Sequence, residues 1–145
     1  MPADLVAKSI TTIKAPLAKV WDALINPTVI KRYMFGATVE SEWKKGSPIT
    51  WSGEWKGKPY QDKGRILELQ PEHRLRYSHF SPLTGEPDVP ENYHNVTIDL
   101  SPLPDEHNAV QVVLSQDNNK TQEAREHSQK NWEMMLSGLK KAVEG

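Results

Sequence analysis

The stretch Thr121–Gly145, TQEAREHSQKNWEMMLSGLKKAVEG, decides the fold. Trp132, Met135, Leu136, Leu139 and Val143 recur in it at helical spacing, with charged residues between them. Thr121 is a suitable N-cap and Glu123 places an acid in the first turn, so the spacing predicts one long amphipathic helix running to the end of the sequence. Gly138 interrupts that helix at a cost of about 1 kcal/mol relative to alanine, which calls for close approach to a strand or tolerance near a frayed end. Such a helix must bury its apolar stripe, and the residues before it read mostly as strand. A helix laid on one antiparallel sheet can enclose a pocket where the sheet curves away.

Working backwards from the helix, Val110–Gln116 and Tyr93–Leu100 alternate as strands, joined through Pro102–Asn108. Earlier segments of strand character are ATVESEW, ITWSGEW, YQDKGRILEL and RLRYSHF, separated by KKGSP, KGKP and QPEH, which carry turn chemistry. Alternation puts Ile49, Trp51, Gly53 and Trp55 on one face, and Leu75, Tyr77 and His79 on one face with Arg74 and Arg76 opposite. One side of the sheet is therefore apolar and aromatic. Gly53 and Gly64 inside strand patterns predict bulges or sharp curvature. The region SPLTGEPDVPEN, between Phe80 and Tyr93, has no periodicity and is expected to lie over the domain as a loop or lid. At the other end, Leu5–Lys14 reads as a first strand with Val6, Ile10 and Ile13. Leu17, Val20, Trp21, Leu24 and Ile25 then follow Pro16 as an amphipathic helix, ended by Asn26 and Pro27, with a second short helix over Thr28–Tyr33 before Gly36.

With 145 residues, one domain over 1–145 is expected, large enough for a core without disulfides or metal. Five Trp and four Tyr point to an aromatic core. Eighteen Lys and Arg against nineteen Asp and Glu leave a net charge of −1, with no broad basic field for nucleic acid or an anionic membrane. The absence of cysteine removes disulfides, thiolate nucleophiles and Cys-based zinc sites together. The start, MPADLVAKS, is not a leader pattern, and no run of about 18 apolar residues occurs, so a soluble, cytoplasmic protein without membrane insertion is expected.

The run IKAPLAKVWDALINPTVIKRYM, the pair KGRILELQPEHRLRYS and the ending NWEMMLSGLKKAVE, in this order, resemble the START-like (SRPBCC, helix-grip) superfamily. Within it the sequence is most similar to the activator of Hsp90 ATPase homologue 1-like branch. The resemblance covers nearly all 145 residues. It implies an α+β helix-grip fold: a curved seven-stranded antiparallel sheet around the C-terminal helix, two short helices between the first two strands, and an apolar cavity inside. It implies little about activity, since the superfamily includes carriers of lipids, sterols, hormones and polyketides as well as aromatases and cyclases. The sequence lacks the glycine-rich loop of the plant pathogenesis-related relatives and any counterpart of the extra N-terminal domain of eukaryotic Hsp90 activators. A chaperone partner is thus a family label rather than a reading of these residues.

The candidate cavity wall consists of Trp51, Trp55, Tyr77, His79, Tyr93, Trp132, Met135 and Leu139, with Tyr33 and Met34 at the mouth. Large aromatics and methionines at periodic spacing also simply pack, and that is the competing reading for each. No cofactor is expected. His73, His79, His94, His107 and His127 have no metal-ligand spacing. Ser52, Ser78 and Ser115 lack a nucleophile elbow, and the acidic pairs Glu40/Glu42, Glu68/Glu72 and Asp105/Glu106 read as solvated surface. Three functions follow as expectations. The first is binding of a small hydrophobic molecule, a lipid, aromatic or polyketide-like compound. The second is a cyclase-like, aromatase-like or hydratase-like reaction in the same cavity with Tyr77 and His79 moving protons. The third is a co-chaperone-like interaction protein acting through its outer surface.

Overall fold

A first strand and a last strand that pair with each other, although roughly a hundred residues apart in sequence, set the architecture. In the computed structural model, which describes residues 5–34, 36–82, 85–104 and 108–144 (Trp55 by its backbone alone), β1 (Leu5–Ile13) lies antiparallel to β7 (Val110–Asn119). Between them run α1 (Leu17–Ile25), α2 (Pro27–Tyr33), β2 (Thr38–Ser41), β3 (Pro48–Trp55), β4 (Lys58–Gln70), β5 (Arg74–His79) and β6 (His94–Pro102), and α3 (Gln122–Glu144) closes the order. The strands form one seven-stranded antiparallel sheet in the order β1-β7-β6-β5-β4-β3-β2. The helix-grip fold expected from the sequence is the fold found.

Local chemistry accounts for the element ends. Pro16 precedes α1 with extended backbone, and Asn26 serves both helices: it ends α1, and its Oδ1 accepts from the Thr28 amide at 3.0 Å to cap α2, with Pro27 in its first turn. Thr121 Oγ1 accepts from the Ala124 amide at 3.0 Å, an N-cap contributing about 1 kcal/mol to α3. Lys56 and Gly57 both have positive φ, which makes a two-residue hairpin between Trp55 and Lys58 and starts β4 earlier than the expected Tyr60. β7 continues past Gln116 to Asn119.

The concave face and α3 share one core. Met135, Leu136, Leu139 and Val143 are buried on α3, Val20, Trp21 and Leu24 on α1, and Ile30 and Tyr33 on α2. They meet Ile49, Trp51, Ile66, Leu75, Tyr77, Val96, Ile98, Val112 and Leu114 from the sheet. In β1 the buried phase is Ala7, Ser9 and Ile13, so Val6 and Ile10 project outward and are exposed. Strand alternation decides this over residue hydrophobicity.

Two glycine expectations are corrected. The register shift in β4 falls between Ile66 and Glu68, not at Gly64, and the pairing of β3 with β4 runs through Gly53 without interruption. Gly53 instead leaves room for an aromatic ring: a Cβ there would lie 2.9 Å from the Tyr60 hydroxyl. Gly138 approaches a helix rather than a strand, its Cβ position lying 3.2 Å from Cβ of Tyr33 on α2.

Candidate functional site

Where β3, β4, β5 and β6 bend away from the first half of α3, the core opens into a cavity of about 360 Å³. Its apolar wall is Met34, Ala37, Trp51, Tyr77, Phe80, Trp132 and Met135. Trp51 lies at the centre, with ring centroids 5.1 Å from both Tyr77 and His79, the latter edge-on. Burial pushes the Tyr77 phenol well above its ordinary range, so it stays neutral, and its hydroxyl has no hydrogen-bond partner among the described residues. It can therefore donate to, or accept from, a molecule in the cavity.

The polar groups arrive in a row across adjacent strands. Asp62 on β4 accepts from His79 on β5, Oδ2 to Nε2 at 2.9 Å, and both side chains are largely buried, at 16% and 26% exposure. Because a carboxylate only accepts, His79 carries its proton on Nε2. His79 pairs directly with His94 on β6, which puts the two imidazoles on the same face. His94 donates from Nδ1 to the Asp117 carbonyl at 3.0 Å. On the helix side, the Trp132 indole N–H donates to Oε1 of buried Gln116, while Ser128 donates to Oδ1 of Asn119 at 2.9 Å. Tyr60 lies beside Asp62, and its phenol is raised first by burial and then by that carboxylate. Among the described residues no group of three His, Asp or Glu is placed to hold a metal ion.

The connection between β5 and β6 forms one rim. Phe80, Ser81 and Asn92 from it line the cavity. Its base is held by Asn118, whose Nδ2 donates to the carbonyls of Glu91 at 2.8 Å and Tyr93 at 3.0 Å, and by ion pairs of Lys63 with Asp88 and Lys120 with Glu86.

Six of the expected wall residues border this cavity: Met34, Trp51, Tyr77, His79, Trp132 and Met135. Three do not. Tyr33 is buried in the core with its hydroxyl donating to the Ala23 carbonyl at 2.8 Å, and it borders a separate interior void of about 20 Å³. Leu139 is wholly buried one helical turn beyond Met135. Tyr93 stacks on Phe80 at 5.2 Å and donates to Asp88 at 2.7 Å, outside the cavity. The side chain of Trp55 lies outside the described residues. Sequence reasoning missed Asp62, Gln116, Ser128 and Asn131. For Asp62 a signal existed: counting back by twos from buried Ile66 reaches Gly64, Asp62 and Tyr60 on the inner face.

A family model described as activator of Hsp90 ATPase homolog 1-like protein matches residues 14–144. The chain belongs to this family. A solved relative in the same fold, ChR145 from Cytophaga hutchinsonii, is 57% identical, with 99% of this chain and 97% of that one covered and a TM-score of 0.85. The Aha1 dimer from Colwellia psychrerythraea is 20% identical, with 96% of each chain covered and a TM-score of 0.73. DynU16, from the dynemicin biosynthetic locus, is 13% identical with a TM-score of 0.78, 98% of this chain matching 48% of that one. The two distant likenesses concern the fold alone. No curated protein matches the chain. The described residues contain no helix long and apolar enough to cross a membrane.

Proposed function

We propose that this protein binds a small, largely apolar molecule, aromatic or lipid-like, between α3 and the concave face of the sheet. The observation that carries this reading is the cavity of about 360 Å³, lined by Trp51, Tyr77, Trp132 and Met135 and left open rather than filled by its own side chains. That volume falls within the roughly 300–1,000 Å³ of small-molecule sites, and the mix of aromatic walls with a few convergent polar groups is what such sites require. The unpartnered Tyr77 hydroxyl and the Asp62–His79 pair would orient the ligand. An interaction protein acting only through its outer surface has no need of such a space.

The test is titration with a panel of aromatic, polyketide-like and fatty-acyl probes, followed through backbone amide and indole N–H shifts. Saturable shifts at Trp51, Tyr77 and Trp132 are expected. Asn131→Trp, at an exposed position on the rim, should weaken binding by about tenfold or more while leaving thermal stability within a few degrees. Absence of saturable shifts with every probe, or undiminished binding by the blocked variant, would sink the proposal.

A second reading has one observation in its favour. His79 is held by Asp62 as an imidazole is held in proton-transfer sites, with neutral Tyr77 two residues before it on the same strand face. In a cyclase-like reaction His79 would move the proton and Asp62 would position it.

A further inference from the structure

The charged groups on the cavity wall are unevenly distributed. Among the described residues that line it there is one carboxylate, Asp62, and no Lys or Arg. The wall's two imidazoles are already engaged: His79 donates from Nε2 to Asp62 at 2.9 Å, and His94 donates from Nδ1 to the Asp117 carbonyl at 3.0 Å. The other oxygen of Asp62, Oδ1, is buried and has no hydrogen-bond partner among the described residues. A carboxylate offers about four acceptor positions, and His79 fills one of them. A buried acceptor left unpaired is unfavourable in the free protein and becomes favourable once a donor reaches it. Asp62 lines the cavity, so its carboxylate is the acidic group that a molecule inside would meet.

From this we infer that the cavity selects an uncharged, mostly apolar ligand carrying a hydroxyl or N–H donor, which bonds to Asp62, and that it excludes ligands ending in a carboxylate. The inference rests on the cavity being a ligand site and names the class of ligand that fits it. The aromatic wall of Trp51, Tyr77 and Trp132 takes the apolar body. The donor group sits at the Asp62 end. A carboxylate placed there would meet a second carboxylate in a partly desolvated space without a cation, whereas a ligand with an ether in place of the hydroxyl would leave Oδ1 unpaired. The same logic separates this cavity from those that hold acids through an Arg or Lys at the base.

Three probes sharing one aromatic body test the assignment: 2-naphthol, 2-methoxynaphthalene and 2-naphthoate, each titrated at pH 7 with the indole N–H signals of Trp51 and Trp132 as readout. 2-Naphthol should bind more tightly than the methyl ether by roughly tenfold or more, and 2-naphthoate more weakly than both. Asp62→Asn, which keeps an acceptor but removes the charge, should restore naphthoate binding to about the level of the ether. Equal affinities for the three in the wild-type protein, or naphthoate binding best, would overturn the assignment while leaving the cavity as a binding site. If none of the three moves the indole signals, the ligand-site reading falls and takes this inference with it. The wild-type comparison decides the matter even if Asp62→Asn proves unstable.

Discussion

Gly64 lets β4 lie close against β5, and it shows how much one hydrogen in place of a methyl group can decide. A Cβ at this position would lie 1.7 Å from the Ser78 carbonyl oxygen and 2.6 Å from its carbon, both backbone atoms that no rotamer change can move. The Arg65 amide next to it bonds to Ser78 Oγ at 3.0 Å instead of to the strand backbone, so the ladder is locally replaced by a side-chain contact. Gly64→Ala should therefore destabilise the protein by about 2–4 kcal/mol, read as a lowered denaturant midpoint with an unchanged m-value. A change below about 0.5 kcal/mol would mean the two strands separate easily there. Asp62, two residues earlier, illustrates a different limit. Its inward phase was legible by alternation, yet an acid between Gln61 and Lys63 reads as solvated surface until His79 is seen 2.9 Å away.

At the scale of elements, the connection from β5 to β6 is the part that composition describes least. Its prolines and absence of periodicity predict a loop, and its covering position was expected, but its tethers are tertiary. Lys63 on β4 and the Tyr93 hydroxyl both bond to Asp88, and these hold the Asp88 carboxyl below the ordinary range, Lys63 first and Tyr93 next. A carboxyl whose pKa is lower folded than unfolded binds its proton less readily in the folded state. Its contribution is thus complete above the ordinary aspartate range and is lost as pH falls through the depressed folded value. Acidification should loosen this connection only below that ordinary range. Carboxyl-carbon NMR titration should show Asp88 titrating below an unstructured aspartate, and Asp88→Asn should remove the step. Titration at or above the unstructured value would show that the tether does not persist in solution. For α3, by contrast, both the amphipathic stripe and the Thr121 cap were readable, because both are local: spacing along one helix and a hydroxyl three residues from the amide it caps.

For the whole molecule, the pairing of β1 with β7 and the packing of α3 on β1, β7 and α2 bind the two ends of the chain into one core. Glu144 near the end of α3 accepts from the Lys14 amide at 2.7 Å, and Asn119 donates to the Leu5 carbonyl at 2.8 Å. The helix α3 covers β1 and β7, α2 packs on β2 and α1 on β6, and all three helices share one core with the sheet. Unfolding should accordingly be a single transition, with far-UV circular dichroism and tryptophan fluorescence superimposing in denaturant. Non-coincident curves would reveal α3 or the β2–β4 edge separating on its own, and would divide the chain into smaller units than expected.

Periodicity and turn chemistry by themselves determined the order of elements, the aromatic inner face and the helix that covers it, because these follow from side-chain phase along each segment. The resemblance carried by three motifs extended this to the strand arrangement. What only the tertiary structure decided is which inward residues face empty space. Tyr33, Leu139 and Met135 have the same apolar character, but Tyr33 bonds to Ala23, Leu139 is sealed under the sheet, and Met135 borders the cavity. The same holds for the polar end: the meeting of Asp62, His79 and His94 depends on the register of three strands and on the close approach of Gly64 to Ser78. Register and curvature arise from contacts between segments distant in sequence, and the phase of any one strand does not contain them.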